Sequence, residues 1–180
     1  MVSAPYPTSI DHTLGVASLG TSTQQTTFIY HDGGRLEAGY KGYVGDCVVR
    51  AITIATGSNY QETYDLVNVF CRRERRVGAS RSSARNGVYA STVRRIMTHL
   101  GWTWIPTMRV GSGCQIHLRA DELPSGSLVV RVSKHFTAVL DGIIFDTQDP
   151  SRNGTRCVYG YYQQLADTEG VNHGHRNYRN

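Results

Sequence analysis

Lysine is nearly absent from this chain. It occurs only at Lys41 and Lys134, and the remaining cations among 19 Lys and Arg residues are arginines. Arginine pairs bidentately with carboxylates and phosphates, so a net charge of +5 permits an acidic partner without naming one. No hydrophobic run approaches the length of a membrane span, so no membrane-spanning helix is expected. No basic flank with an apolar stretch behind it opens the chain. A secretory signal is therefore not expected and a cytoplasmic location is, the host cytoplasm if the source is viral. The four cysteines, Cys47, Cys71, Cys114 and Cys157, are widely spaced, and none forms a C-x-x-C pair. That argues against a zinc ribbon or a thioredoxin motif and for reduced thiols, and no metal or cofactor is called for. With 39% hydrophobic and 18% charged residues in 180, the composition is that of one ordinary globular domain.

What the chain does have is a cysteine at the start of an apolar helix. In Gly45-Asp46-Cys47-Val48-Val49-Arg50-Ala51-Ile52, Asp46 reads as the N-cap, and Val48, Ala51, Ile52 and Ala55 fall on one helical stripe. Gly57 ends the helix. At the N-terminus the helix dipole favours a thiolate, and the free N–H groups there can hold an oxyanion. Taken alone, Cys47 is as well explained as a small buried residue.

Helices come first. The second starts near Asn59, with a buried face of Tyr60, Tyr64, Val67 and Cys71, and runs to about Arg72; the third spans about Val88 to Leu100. Between them, Arg72, Arg73, Arg75, Arg76, Arg81 and Arg85 are separated by small and polar residues. This segment is read as a solvated loop or, more sharply, as a site for an acidic partner or nucleic acid. It lacks the interleaved aromatics of a single-strand binder. Short strands are expected at 26–30 and 102–106, and a β-rich half follows from Leu128 to Tyr162. The pattern is α+β, with N-terminal helices packed on a C-terminal antiparallel sheet. Residues 1–25 read as an irregular arm, 26–165 as the domain, and 166–180 as a flexible tail whose His173 and His175 are solvent-exposed rather than metal ligands.

Asp141-Gly142 is a strong hairpin signal. A two-residue turn there pairs Leu140 with Ile143, Val139 with Ile144 and Ala138 with Phe145. Phe136, Ala138, Leu140, Ile143 and Phe145 then share an apolar face, and His135, Thr137, Val139, Ile144, Asp146 and Gln148 share a less apolar one. His135 and Asp146 become diagonal neighbours. A carboxylate on one ring nitrogen fixes the tautomer and leaves the other to take a thiol proton. A one-residue shift would substitute Asp149, which is held in reserve.

Gly-Asp-Cys opening a helix, then Lys134-His135-Phe136-Thr137-Ala138-Val139 on a strand and an acid on the returning strand, resembles the papain-like cysteine peptidases, in the chain order Cys, His, Asp. The likeness is to their compact phage and bacterial members. It implies a papain-like fold over about Tyr40 to Tyr162 and a polypeptide substrate. It also implies Cys47 as nucleophile, His135 as base and then acid, and Asp146 as the orienting residue. The Cys47 N–H would be one oxyanion donor. The glutamine that many relatives carry a few residues earlier has no counterpart in 41–44, so the second donor falls to Tyr43, Gln24, Gln25 or backbone. Transglutaminase-like acyl transfer uses the same triad. An inactive relative serving as a viral structural or nucleic-acid-associated protein is the contrasting class.

Overall fold

A computed structural model describes residues 27–42, 44–74 and 81–164. The 1–25 arm, the 166–180 tail with His173 and His175, and the site candidates Gln24, Gln25, Tyr43, Arg75 and Arg76 lie outside the described residues. The chain runs β1 (Phe28–Tyr30), α1 (Cys47–Thr56), α2 (Tyr60–Arg72), α3 (Ala90–His99), β2 (Trp102–Pro106), β3 (Ser127–Val132), β4 (His135–Leu140), β5 (Ile143–Asp146) and β6 (Val158–Gln164). The six strands form one sheet in the order β1-β5-β4-β3-β6-β2. The architecture is mixed α+β. The sheet is not wholly antiparallel as expected, because β1 runs parallel to β5. A hairpin cannot join them: β1 precedes the helices, and the chain returns to its edge only after β4.

α1 is the central helix. The one-sided stripe expected for it understates its burial, since all residues from Val48 to Thr53 are buried, Arg50 included. One side packs on β3 and β4 and another on α2. A helix enclosed on most sides must be apolar on most sides, and Val48, Val49, Ala51 and Ile52 meet that demand. Burying a side chain such as Ile52 contributes about 2–3 kcal/mol. Gly57 ends the helix in the left-handed region at φ 67°. Asn59 then caps α2, its side chain accepting from the N–H groups of Gln61 and Glu62.

The helix-facing side of the sheet contributes Phe136, Ala138 and Val129 to the main core, with Phe145 packed against it. The other side, expected to be less apolar, carries a second core of Leu118, Leu123, Leu128, Val130, Val132, Val139, Ile144 and Val158. The chain between β2 and β3 covers it. Val158 N–H donates to Ile116 O at 2.8 Å and Leu118 N–H to Arg156 O at 2.7 Å. The same contact brings Cys114 and Cys157 together in a disulfide, with Cα atoms 5.7 Å apart. Reduced thiols throughout are thus incorrect: only Cys47 and Cys71 are free among the four. Among the described residues no helix is long and apolar enough to cross a membrane.

Candidate active site

The β4–β5 hairpin has the register read from its turn: Leu140 opposite Ile143, Val139 opposite Ile144, Ala138 opposite Phe145. Asp141 and Gly142 have φ of 47° and 80°, both positive as a two-residue turn of this hand requires. The turn places the first residue of β4 and the last of β5 at the same end of the sheet. These are His135 and Asp146, and His135 Nε2 lies 2.6 Å from Asp146 Oδ2. Asp146 is buried and also accepts the Thr147 N–H at 2.7 Å. Asp149 does not join them. It lines the same cleft but accepts the N–H of Ser151 at 2.8 Å within its own loop.

α1 lies along β4, and its first residue delivers the half-buried Cys47 sulfur to this corner. The sulfur faces the His135 side chain and the Phe136 backbone, and both favour its ionised form. With Nε2 committed to Asp146, Nδ1 is the ring nitrogen left for Cys47. Burial pushes the Cys47 thiol up, but the hydrogen bond and charge of His135, the Phe136 backbone and the Arg50 guanidinium outweigh it, so its pKa falls below 9.0. Burial disfavours the charged imidazole of His135, yet Asp146 and Cys47 on its two sides overcome this and lift it to about 9. Burial likewise opposes ionisation of Asp146, and the His135 hydrogen bond and charge hold it below the usual carboxylate range. Thiolate, imidazolium and carboxylate are the mutually favoured forms.

Asp46 stands at the N-cap position of α1 as expected, its carbonyl accepting the Arg50 N–H at 3.1 Å, but its carboxylate makes no capping bond. No side chain caps α1, and the Asp46 carboxylate is instead buried among cations. Arg50 Nη1 hydrogen-bonds its Oδ1, Arg35 Nε lies 3.1 Å from its Oδ2, and the Tyr60 hydroxyl donates to Oδ2 at 2.6 Å. Arg50 reaches the other way as well, its Nη2 3.4 Å from Asp146 Oδ1. Arg35 also donates to the carbonyls of Lys41 and Gly42, at 3.0 and 2.9 Å, and so ties down the approach to Cys47. Arg35, Arg50 and Tyr60 are the site residues that sequence reasoning missed. The signal was present for Arg50, four residues beyond Asp46 on a helix.

Among its described residues, the arginine-rich segment meets the site at its end. Arg72, Arg73, Arg81 and Arg85 are exposed. The loop at 83–87 closes on itself through a Ser83–Gly87 bridge and abuts the approach to the cysteine, the Gly45 N–H donating to Arg85 O at 2.8 Å. A Cβ at Gly45 would lie 3.3 Å from the Asn86 carbonyl carbon, so glycine suits this approach. Asn86 and Gly87 thereby form a rim of an open cleft of about 830 Å³. Cys47, His135 and Asp146 line it. Comparison of the chain with protein-family models, with curated proteins and with solved structures gives no match in any of the three.

Proposed function

We propose that this chain is a papain-like cysteine peptidase, a hydrolase that cleaves a peptide or isopeptide bond through a Cys47–His135–Asp146 triad. The observation that carries the reading is the convergence on one cleft of a half-buried cysteine sulfur, an imidazole beside it and a buried carboxylate hydrogen-bonded to that imidazole at 2.6 Å. A structural pair of histidine and aspartate would not need a depressed thiol at its other end. The order of helix, strand and returning strand supports the papain-like likeness.

In this reading the Cys47 thiolate attacks the carbonyl carbon and the developing oxyanion is held by the Cys47 N–H at the uncapped end of α1. The His135 imidazolium gives its proton to the leaving amine as the C–N bond breaks, and a thioester remains. His135, now neutral, takes a proton from water as the water attacks the thioester. The acid leaves, and the thiolate–imidazolium pair is restored. Asp146 keeps the ring oriented and stabilises its charge throughout.

The test is alkylation of the native protein with iodoacetamide from pH 4 to 10, with the modified cysteine mapped by mass spectrometry. Labelling of Cys47 well below pH 8 and its loss in His135→Ala are expected, with Cys47→Ala abolishing hydrolysis in a peptide library. Labelling of Cys47 that follows ordinary thiol ionisation and ignores His135→Ala refutes the proposal.

A further inference from the structure

Two of the cations lining the cleft are consumed internally: Arg35 and Arg50 face Asp46 and Asp146. Four others are not. Arg131 on β3, Lys134 in the β3–β4 turn, and Arg152 and Arg156 in the loop before β6 all line the cleft that holds Cys47. None of them enters an ion pair among the described residues. Two of them are held in place by other means. Arg156 Nη2 donates to Ser133 O at 2.6 Å, and the Arg131 guanidinium sits over the Tyr159 ring, 5.8 Å from its centroid. Three carboxylates line the cleft as well: Asp146 faces His135 and Arg50, Asp32 accepts from the N–H groups of Gly34 and Leu36, and Asp149 from that of Ser151.

We propose that the substrate taken by this cleft is an acidic polypeptide, whose Asp or Glu side chains lie against the wall made by Arg131, Lys134, Arg152 and Arg156. This rests on the thiolate reading above and deepens it. Carboxylates match the guanidinium fork, and a concave wall of one sign concentrates ligands of the other. A nucleic acid would satisfy the charge but offers no acyl carbonyl to the thiolate beside that wall. The lone lysine of the β-rich half lines the same cleft, in a turn position with φ 57° immediately before His135 in the chain.

The probe is a pair of thiol reagents that differ in charge, iodoacetate and iodoacetamide, applied to the full chain. Their rate ratio at Cys47 reads the local field, whatever the true substrate. A preference for iodoacetate is expected that falls about three- to tenfold at 10 mM salt in the variant Arg131→Gln/Lys134→Gln/Arg152→Gln/Arg156→Gln. The same preference in the unaltered protein should shrink as salt rises to 0.5 M, a measurement that needs no variant to fold. Peptide pools rich in Asp and Glu should be hydrolysed faster than pools rich in Lys and Arg. A ratio indifferent to both salt and variant overturns the inference, as does faster turnover of the basic pool. So does a variant that loses affinity for single-stranded DNA while its peptide selectivity stays the same. Slow reaction of Cys47 with both reagents overturns the thiolate reading itself, and this inference with it.

Discussion

The proton shared between Cys47 and His135 leaves a signature in stability that can be read without any substrate. In the unfolded chain an imidazole ionises near 6.5 and a thiol near 9.0. On folding, His135 rises to about 9 and Cys47 falls. The raised histidine contributes stability that is complete below 6.5 and lost as pH climbs through 9. The lowered cysteine contributes stability that is complete above 9.0 and lost as pH falls through its folded value. At pH above both 6.5 and that folded value, and below 9, the native site has gained one proton on the ring and given up one from the sulfur. Folding then takes up no net proton at this pair, and stability does not change with pH through it. Removing the sulfur breaks the balance. In Cys47→Ala the ring keeps Asp146 as its partner and still binds a proton that the unfolded chain lacks above 6.5. Its contribution should decline as pH rises, by no more than the roughly 3 kcal/mol that a rise from 6.5 to 9 represents. The assay is urea unfolding of both proteins from pH 6 to 9, taken as a difference so that other groups cancel. The advantage of the unaltered protein over the variant should grow by about 1–3 kcal/mol across that range. If the difference is flat, native Cys47 keeps its proton at neutral pH and the thiolate–imidazolium pair does not exist in the resting site.

Arg50→Met should destabilise the fold by about 3–5 kcal/mol in urea unfolding, because it strips a buried partner from both Asp46 and Asp146; a loss below 1 kcal/mol would mean that Arg35 and Tyr60 suffice for Asp46. Reduction of Cys114–Cys157 frees a loop with a sequence separation of 43, which in the chain-entropy account lowers stability by up to about 4 kcal/mol. That effect is measured as a shift of the unfolding midpoint with and without a phosphine reductant, and no shift would mean that the cover over the second core is held by its backbone bonds and packing alone.

The pairing of His135 with Asp146 was legible because it is local: a turn of fixed length and two strands of period 2 leave one register that gathers the apolar residues. The Cys47 helix was legible for a similar reason, its end marked by Gly57 and the next helix by Asn59. What escaped depends on contacts between distant segments. Nothing in the spacing of Cys114 and Cys157 says that the chain after β2 folds back over the sheet, and that cover turned the supposed less apolar face into a core around Val139 and Ile144. The parallel docking of β1 on β5 is also non-local. Asp46 was misread for a different cause. Its type and position fit a cap, but a carboxylate with Arg50 one turn ahead and Arg35 and Tyr60 nearby gains more from charged partners than from a backbone amide.

That misreading bears on how a carboxylate can sit next to a thiolate at all. A bare Asp46 would oppose ionisation of Cys47. In the folded chain the carboxylates of Asp46 and Asp146 and the Cys47 sulfur, whose ionised form is favoured, are interleaved with Arg35, Arg50 and the His135 ring, so each has an adjacent cation when charged. Turning the Asp46 side chain into this network has a second consequence. A capping carboxylate would occupy the N–H groups of the first turn of α1, the groups that the proposed chemistry needs for the thiolate and the oxyanion. With no side chain capping α1, the helix end faces the cleft with its donors uncommitted to any side-chain cap. Asp46 thus serves the site by what it leaves unbonded as much as by what it binds, and this accounts for an arginine at position 50 inside a helix that is otherwise built as core.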